Sequence, residues 1–171
     1  MKLLFSTAFI IGTTAAGCLG AANSDKTVSG MDSQFAGKAA IGGMAEVKLG
    51  QLAQRNASSG DVKAFGQKMI ADHTKAAEKL KDVASKDNIS LPTNLDAKEN
   101  ATYDRLSKLQ GSDFDRAYMQ DMVKDHKMDV AEFHKEANSG RNPDLKNFAS
   151  ETLPTLQEHL RLAETTYAKV K

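Results

Sequence analysis

Apolar and small residues recur at helical spacing in four long stretches, and nowhere does the chain show the period-two alternation of a half-buried strand. The first stripe is Phe35, Ala39, Gly42, Leu49 and Ala53, which predicts a helix capped by Asp32 or Ser33 and ending near Ala57. Gly42, Gly43 and Gly50 lower its helix propensity but let a neighbour come close. The second stripe, Val62, Phe65, Met69, Ala76, Leu80 and Val83, predicts a helix from near Ser59 to Asp87, with Asp61 in its first turn. Pro92 bars any continuation. Asp96-Ala-Lys-Glu99 has the spacing of a capping box and predicts a short accessory helix over Asp96 to Leu109. A third long helix follows Gly111 and a cap at Ser112, striped by Met119, Met122, Val123, Val130, Phe133 and Ala137 and stopped by Gly140. Asn142-Pro143 then caps and opens the last helix, striped by Leu145, Phe148, Leu156, Ala163 and Val170, with a kink expected at Pro154. Residues 32–171 therefore read as one all-α domain, a four-helix bundle whose second and third long helices are joined by a connection carrying a short helix.

The residues before this domain read differently. Lys2 gives a positive start, Leu3 to Ile11 is mostly apolar and small residues continue through Ala22, so residues 1–22 read as an export signal. Two processing sites compete. Gly20-Ala21-Ala22 would leave Asn23 as the new terminus, whereas Ala15-Ala16-Gly17-Cys18 approximates a bacterial lipobox, with Ala where Leu is usual, and would place a lipid anchor on Cys18. Residues 23–31 are polar and read as a flexible leader. No later segment approaches the roughly 20 consecutive apolar residues that a spanning helix requires. The expected location is the periplasm or the outer membrane.

Charge narrows the partners. Removing the signal takes Lys2 and no acid, leaving 22 basic and 22 acidic residues. So even a balance argues against nucleic acid, and leaves a membrane only the lipid anchor at Cys18, since both polyanions select for concentrated positive charge. With one Cys, no internal disulfide can form.

Four polar residues fall inside the apolar stripes when each helix is laid out at about 100° per residue. Glu46 lies in the first stripe between Gly42 and Leu49, His73 between Met69 and Ala76, His126 between Met122 and Val130, and His159 between Leu156 and Ala163. Each stands near the midpoint of its helix. Helices of similar length packed side by side bring their midpoints to one height, so one carboxylate and three imidazoles are expected to converge. That set suits one transition metal, Zn, Cu or Fe, as cofactor. The competing reading is a buried polar layer whose members hydrogen-bond one another and fix helix register. Met69 and Met122, one turn before His73 and His126, would favour Cu(I) if aimed at the site, but such residues more often fill a core. Asp72 and Asp125 are set to orient imidazoles or to face solvent. His134 stands about 80° round the helix from His126 and is left out. A short echo, Met69-Ile-Ala-Asp-His73 against Met122-Val-Lys-Asp-His126, is either chance among helical sequences or the trace of an internal duplication.

The run from Phe35 to Gly50 around Glu46 resembles DUF4142, a bacterial family of unknown function described as outer-membrane or periplasmic proteins within the ferritin-like superfamily. Val62-Lys-Ala-Phe65 with Met69 to His73, Phe114 to Met119 with Asp125-His126, and Thr152 to Leu160 around His159 carry the same resemblance over nearly the whole mature chain. The resemblance implies a ferritin-like bundle whose long connection crosses its length, and no known activity. Di-iron centres of that superfamily place Glu three residues before each of two His, where this chain has Ile70, Val123 and Leu156, which disfavours a di-iron oxidase. The first functional reading is thus an envelope metal-binding protein, connected with metal or oxidative stress. The second is a non-catalytic helical module that supports the envelope or holds an unidentified envelope partner. An enzyme ranks last, because no nucleophile–base pair or phosphate-cradling loop is present.

Overall fold

The computed structural model describes residues 30–171 as five helices: α1 (Gly30–Asn56), α2 (Gly60–Lys86), α3 (Ala97–Ser107), α4 (Gly111–Ser139) and α5 (Pro143–Val170). No strand occurs among the described residues. The expected export signal, Cys18 and residues 23–29 of the leader lie outside them, while Gly30 and Met31 already belong to α1. No described helix is long and apolar enough to cross a membrane.

The stop and start signals act mostly as their chemistry dictates. Asp96 accepts from the Glu99 amide at 2.8 Å, and Asn142 accepts from the Leu145 amide at 2.9 Å, each satisfying a donor at a helix start. Two expected caps act elsewhere. Asp32 lies within the first turn of α1, fully buried, and accepts the Arg141 amide at 2.9 Å, a donor remote in sequence. Ser112 does not begin α4, which starts one residue earlier at Gly111, where φ is +62°. Only glycine adopts that left-handed conformation without strain. As one helix α5 runs through Pro154, and both Pro154 and Ser150, whose carbonyl loses its donor, face solvent.

Hydrogen bonds at the two ends fix the direction of each helix. At one end Asn56 Nδ2 donates to the Leu109 carbonyl at 2.8 Å, and the Asp115 carboxylate accepts from the Ser58 and Ser59 amides at 3.2 and 2.9 Å. The start of α4 therefore sits beside the turn between α1 and α2. At the other end Asp32 holds Arg141, and Asn142 Nδ2 donates to Asp87 Oδ2 at 2.8 Å, bringing together the start of α1, the end of α2 and the turn between α4 and α5. Hence α2 and α4 run one way, α1 and α5 the other, and the connection from Asp87 to Gln110 travels the length of the bundle. Within that connection α3 rests on α1 and α4, while the four long helices close a ring in the order α1, α2, α5, α4.

Two apolar clusters fill the ring at different heights. One holds Leu49, Phe65, Met69, Phe114, Tyr118 and Met122, and the other holds Phe35, Leu80, Phe133, Leu145, Phe148 and Leu156. Phe35 and Phe133 meet edge to face, with ring centres 4.9 Å apart, across the closing pair α1 and α4. Two glycines let α1 and α2 approach closely. A Cβ on Gly50 would stand 2.6 Å from the Gly66 carbonyl oxygen, and one on Gly66 would stand 2.8 Å from Ala53 Cβ. Gly66→Ala should therefore lower stability by about 1–3 kcal/mol despite alanine's better helix propensity, read by chemical denaturation.

Candidate metal centre

Between the two apolar clusters each long helix turns one polar residue inward. On α1 Glu46 precedes Leu49 by one turn, on α2 His73 follows Met69, on α4 His126 follows Met122, and on α5 His159 follows Leu156. With α2 and α4 parallel and α1 and α5 reversed, the four positions meet at one level. All four are buried, His126 and His159 completely and Glu46 and His73 at 4% and 7% exposure.

The four residues singled out by their place in the stripes are brought together. Glu46 Oε2 lies 2.7 Å from His73 Nε2, and Glu46 Oε1 lies 3.3 Å from His126 Nε2. His126 Nε2 in turn faces His159 Nδ1 at 3.3 Å. The three imidazoles offer one nitrogen each within 4.8 Å of one another. Glu46 and His73 are close enough for a hydrogen bond but not aligned for one, so both Glu46 oxygens and His73 Nε2 lack a directed partner. These three are the majority of the five such buried atoms among the described residues, which concentrates unmet polar demand at this site.

The far nitrogens of two rings settle what their near nitrogens carry. His126 Nδ1 stands 2.9 Å from the Met122 carbonyl oxygen, which can only accept, so the ring hydrogen is on Nδ1. His159 Nε2 stands 2.8 Å from Asp72 Oδ2, and that carboxylate is itself held by Lys68 at 2.8 Å, so the His159 hydrogen is on Nε2. In the neutral rings, His126 Nε2 and His159 Nδ1 are then both lone pairs. They face each other at 3.3 Å with a carboxylate oxygen beside them. Three electron-rich atoms held at such range repel unless a cation, a proton or a metal ion, lies among them.

Electrostatics agree with that demand. Burial by itself would raise the Glu46 carboxyl, but His73, His126 and His159 outweigh it and hold it at about 2. Burial pulls His73 down, and Glu46 more than reverses this, leaving it above the ordinary histidine value. For His159 burial wins over the bond to Asp72, and its neighbours His73 and His126 add to the effect, taking it to about 4. Asp72 is drawn below the usual carboxylate value because Lys68 and His159 overcome its partial burial. Glu46 is thus an anion and His159 a neutral donor at neutral pH.

The donor set fits a small divalent ion. The inward nitrogens of the three imidazoles lie within 4.8 Å of one another, a wider spread than the about 3.3 Å between ligands of a tetrahedral zinc ion, and Glu46 borders them with Oε2 2.7 Å from His73 and Oε1 3.3 Å from His126. Outer partners of the kind that orient metal-bound imidazoles are in place, a backbone carbonyl on His126 and a carboxylate on His159. Asp72 serves His159 of the neighbouring helix rather than His73 of its own. Asp125 is directed elsewhere: burial raises it to about 6, opposed by Lys98 of α3. Met69 and Met122 belong to the apolar cluster, and His134 is exposed beside Asn138. Asp129 was not anticipated. It lines the same interior space as Glu46 and His73, and burial together with Glu46 pushes it well above the usual carboxylate value. Its position one turn after His126 was the available signal, masked by Val130, which fills the stripe next to it.

Comparison with known proteins agrees with this architecture. Residues 19–166 match the model of DUF4142, a domain of unknown function, and the chain belongs to that family. No curated protein matches. A crystal structure of a DUF305 fragment from Deinococcus radiodurans is similar, with a TM-score of 0.73 over 83% of this chain and 98% of that one, at 13% identity. At that identity the likeness speaks to the fold.

In the metal-free protein the His159 ring is expected to stay neutral down to about pH 4, while His73 remains protonated above its ordinary 6.5. Histidine-ring NMR titration reads both midpoints, and a His159 midpoint at or above 6.5 would contradict the inferred environment.

Proposed function

We propose that this DUF4142 protein is an exported, cell-envelope helical bundle that holds a single transition-metal ion between Glu46, His73, His126 and His159. The observation that carries the reading is the approach of His126 Nε2 to His159 Nδ1 at 3.3 Å beside Glu46, with the other nitrogen of each ring held by an acceptor, the Met122 carbonyl and Asp72. A metal ion would satisfy both facing nitrogens at once, together with the unaligned Glu46 oxygens and His73 Nε2. Glu46 would supply the one negative charge among the ligands, and apolar clusters flank the layer above and below. Three imidazoles and one carboxylate, with no sulfur among them, favour Zn(II), Cu(II) or Fe(II) over Cu(I). Export to the periplasm or outer membrane is supported by the signal-like residues 1–22, with Cys18 available for a lipid anchor. Involvement in metal or oxidative stress is the role such a protein would serve.

A second reading has its own support. Glu46 with His73 in the core, and half-buried Asp72 with the buried His159, are opposed acid–base pairs, and such pairs can set helix register without any metal. In that case the chain is a structural or partner-binding module of the envelope.

Protein purified without a histidine tag separates the two. The metal reading expects one metal ion per chain by elemental analysis, lost in His126→Ala while helical circular dichroism persists. A metal-free wild type, with His126→Ala merely less stable, would support the polar layer instead. Asp72→Asn removes the charge that orients His159 and is expected to weaken metal affinity by about 10- to 100-fold, measured by competition with a chromogenic chelator.

A further inference from the structure

Two adjacent glycines in the middle of α1 have no packing reason to be glycine. Gly50 and Gly66 let two helices touch, but among the described residues a Cβ on Gly42 would meet no atom within 4 Å, and one on Gly43 would meet only His73 Nδ1, at 4.0 Å. Alanine at either position would suit the helix better and clash with nothing. What the missing side chains leave is space.

That space is a chamber of about 30 Å³ lined by Gly42, Gly43, Glu46, His73 and Asp129, with phenyl and leucyl side chains closing it. One water needs roughly 10–15 Å³ of such volume, so the chamber admits two water-sized groups. Glu46 and His73 border it with buried atoms that lack a directed hydrogen bond. The chamber shares Ala39, Gly42, Asp129 and Phe133 with a wider surface groove of about 330 Å³ between α1 and α4, beside the exposed Met128. Groove and chamber are therefore neighbours across one shared wall of Ala39, Gly42, Asp129 and Phe133.

We propose that the Gly42–Gly43 chamber binds a small exogenous ligand of two or three heavy atoms, entering from the α1–α4 groove to coordinate the metal held by Glu46, His73, His126 and His159. The inference rests on the metal reading above. It explains why α1 keeps two glycines where nothing packs on them: side chains there would occupy the ligand's place. Asp129, which lines both chamber and groove, is positioned to hydrogen-bond the incoming molecule.

The test uses the full chain loaded with Co(II), whose visible spectrum reports changes in coordination, and sodium azide as the probe. Azide is expected to shift the wild-type spectrum saturably. Gly43→Ala and the double variant with Gly42→Ala should still bind one Co(II) per chain and melt at higher temperature, yet bind azide about ten-fold or more weakly, as overfilling a small cavity implies. A wild-type spectrum indifferent to azide, or alanine variants that bind azide as tightly as the wild type, would overturn the chamber while leaving the metal site standing. Failure of the wild type to take up Co(II) would overturn the metal reading and the chamber with it.

Discussion

A carboxylate and three imidazoles in the middle of a hydrocarbon core are the constraint to which the rest of this bundle answers. Taking an isolated carboxylate out of water into such surroundings is among the costliest steps a fold can include, and it persists only where an opposite charge or a metal ion meets it. Here Glu46 is met by His73 and His126, while the Met122 carbonyl holds His126 and Asp72, itself paired with Lys68, holds His159. The apolar core is split in two by this layer, with Leu49, Met69 and Met122 on one side and Leu80, Phe133 and Leu156 on the other. A polar group that each helix had to place at the same height is a demand on register, and the register is set far away.

The setting is done at the ends. Asn56 and Asp115 tie the start of α4 to the turn after α1, and Asp32 and Asp87 tie the turn before α5 to the opposite end. Those bonds leave α4 little freedom to slide against α1 and α2, and a slide of one turn would carry His126 about 5.4 Å away from Glu46. The connection through α3 makes this possible, because its length returns the chain to the end from which α2 began. Close contact at Gly50 and Gly66 locks α1 against α2 just one turn from Glu46. Local chemistry at the helix ends thus governs the distances between nitrogens and oxygens in the centre.

Much of this was legible in residue order. The stripes, the capping box at Asp96 and the Asn142-Pro143 start gave helix positions to within a few residues, because they depend on periodicity and on donors satisfied locally. Glu46, His73, His126 and His159 could be picked out since a polar side chain in an apolar stripe must point inward. Neither Asp32 nor Ser33 opens α1, which starts earlier at Gly30, and the bond from the Arg141 amide to Asp32 comes from a residue remote in sequence. Ser112 failed for a different reason: Gly111 takes a left-handed conformation that no local pattern announces. Asp129 was masked by its neighbour Val130, and that the imidazole oriented by Asp72 is His159 on another helix depends on which helix faces meet. Gly42 and Gly43 looked like close-contact glycines, and only the measured distances separate them from Gly50.

The central claim is that one cation sits among Glu46, His73, His126 and His159, and anomalous diffraction from crystals of the untagged protein tests it most directly. Data collected just above and just below the absorption edge of the metal it carries should give one difference peak, bounded by the Glu46 carboxylate and the three inward nitrogens. A peak confined to surface carboxylates, or none at all beside four well-ordered side chains, would contradict it.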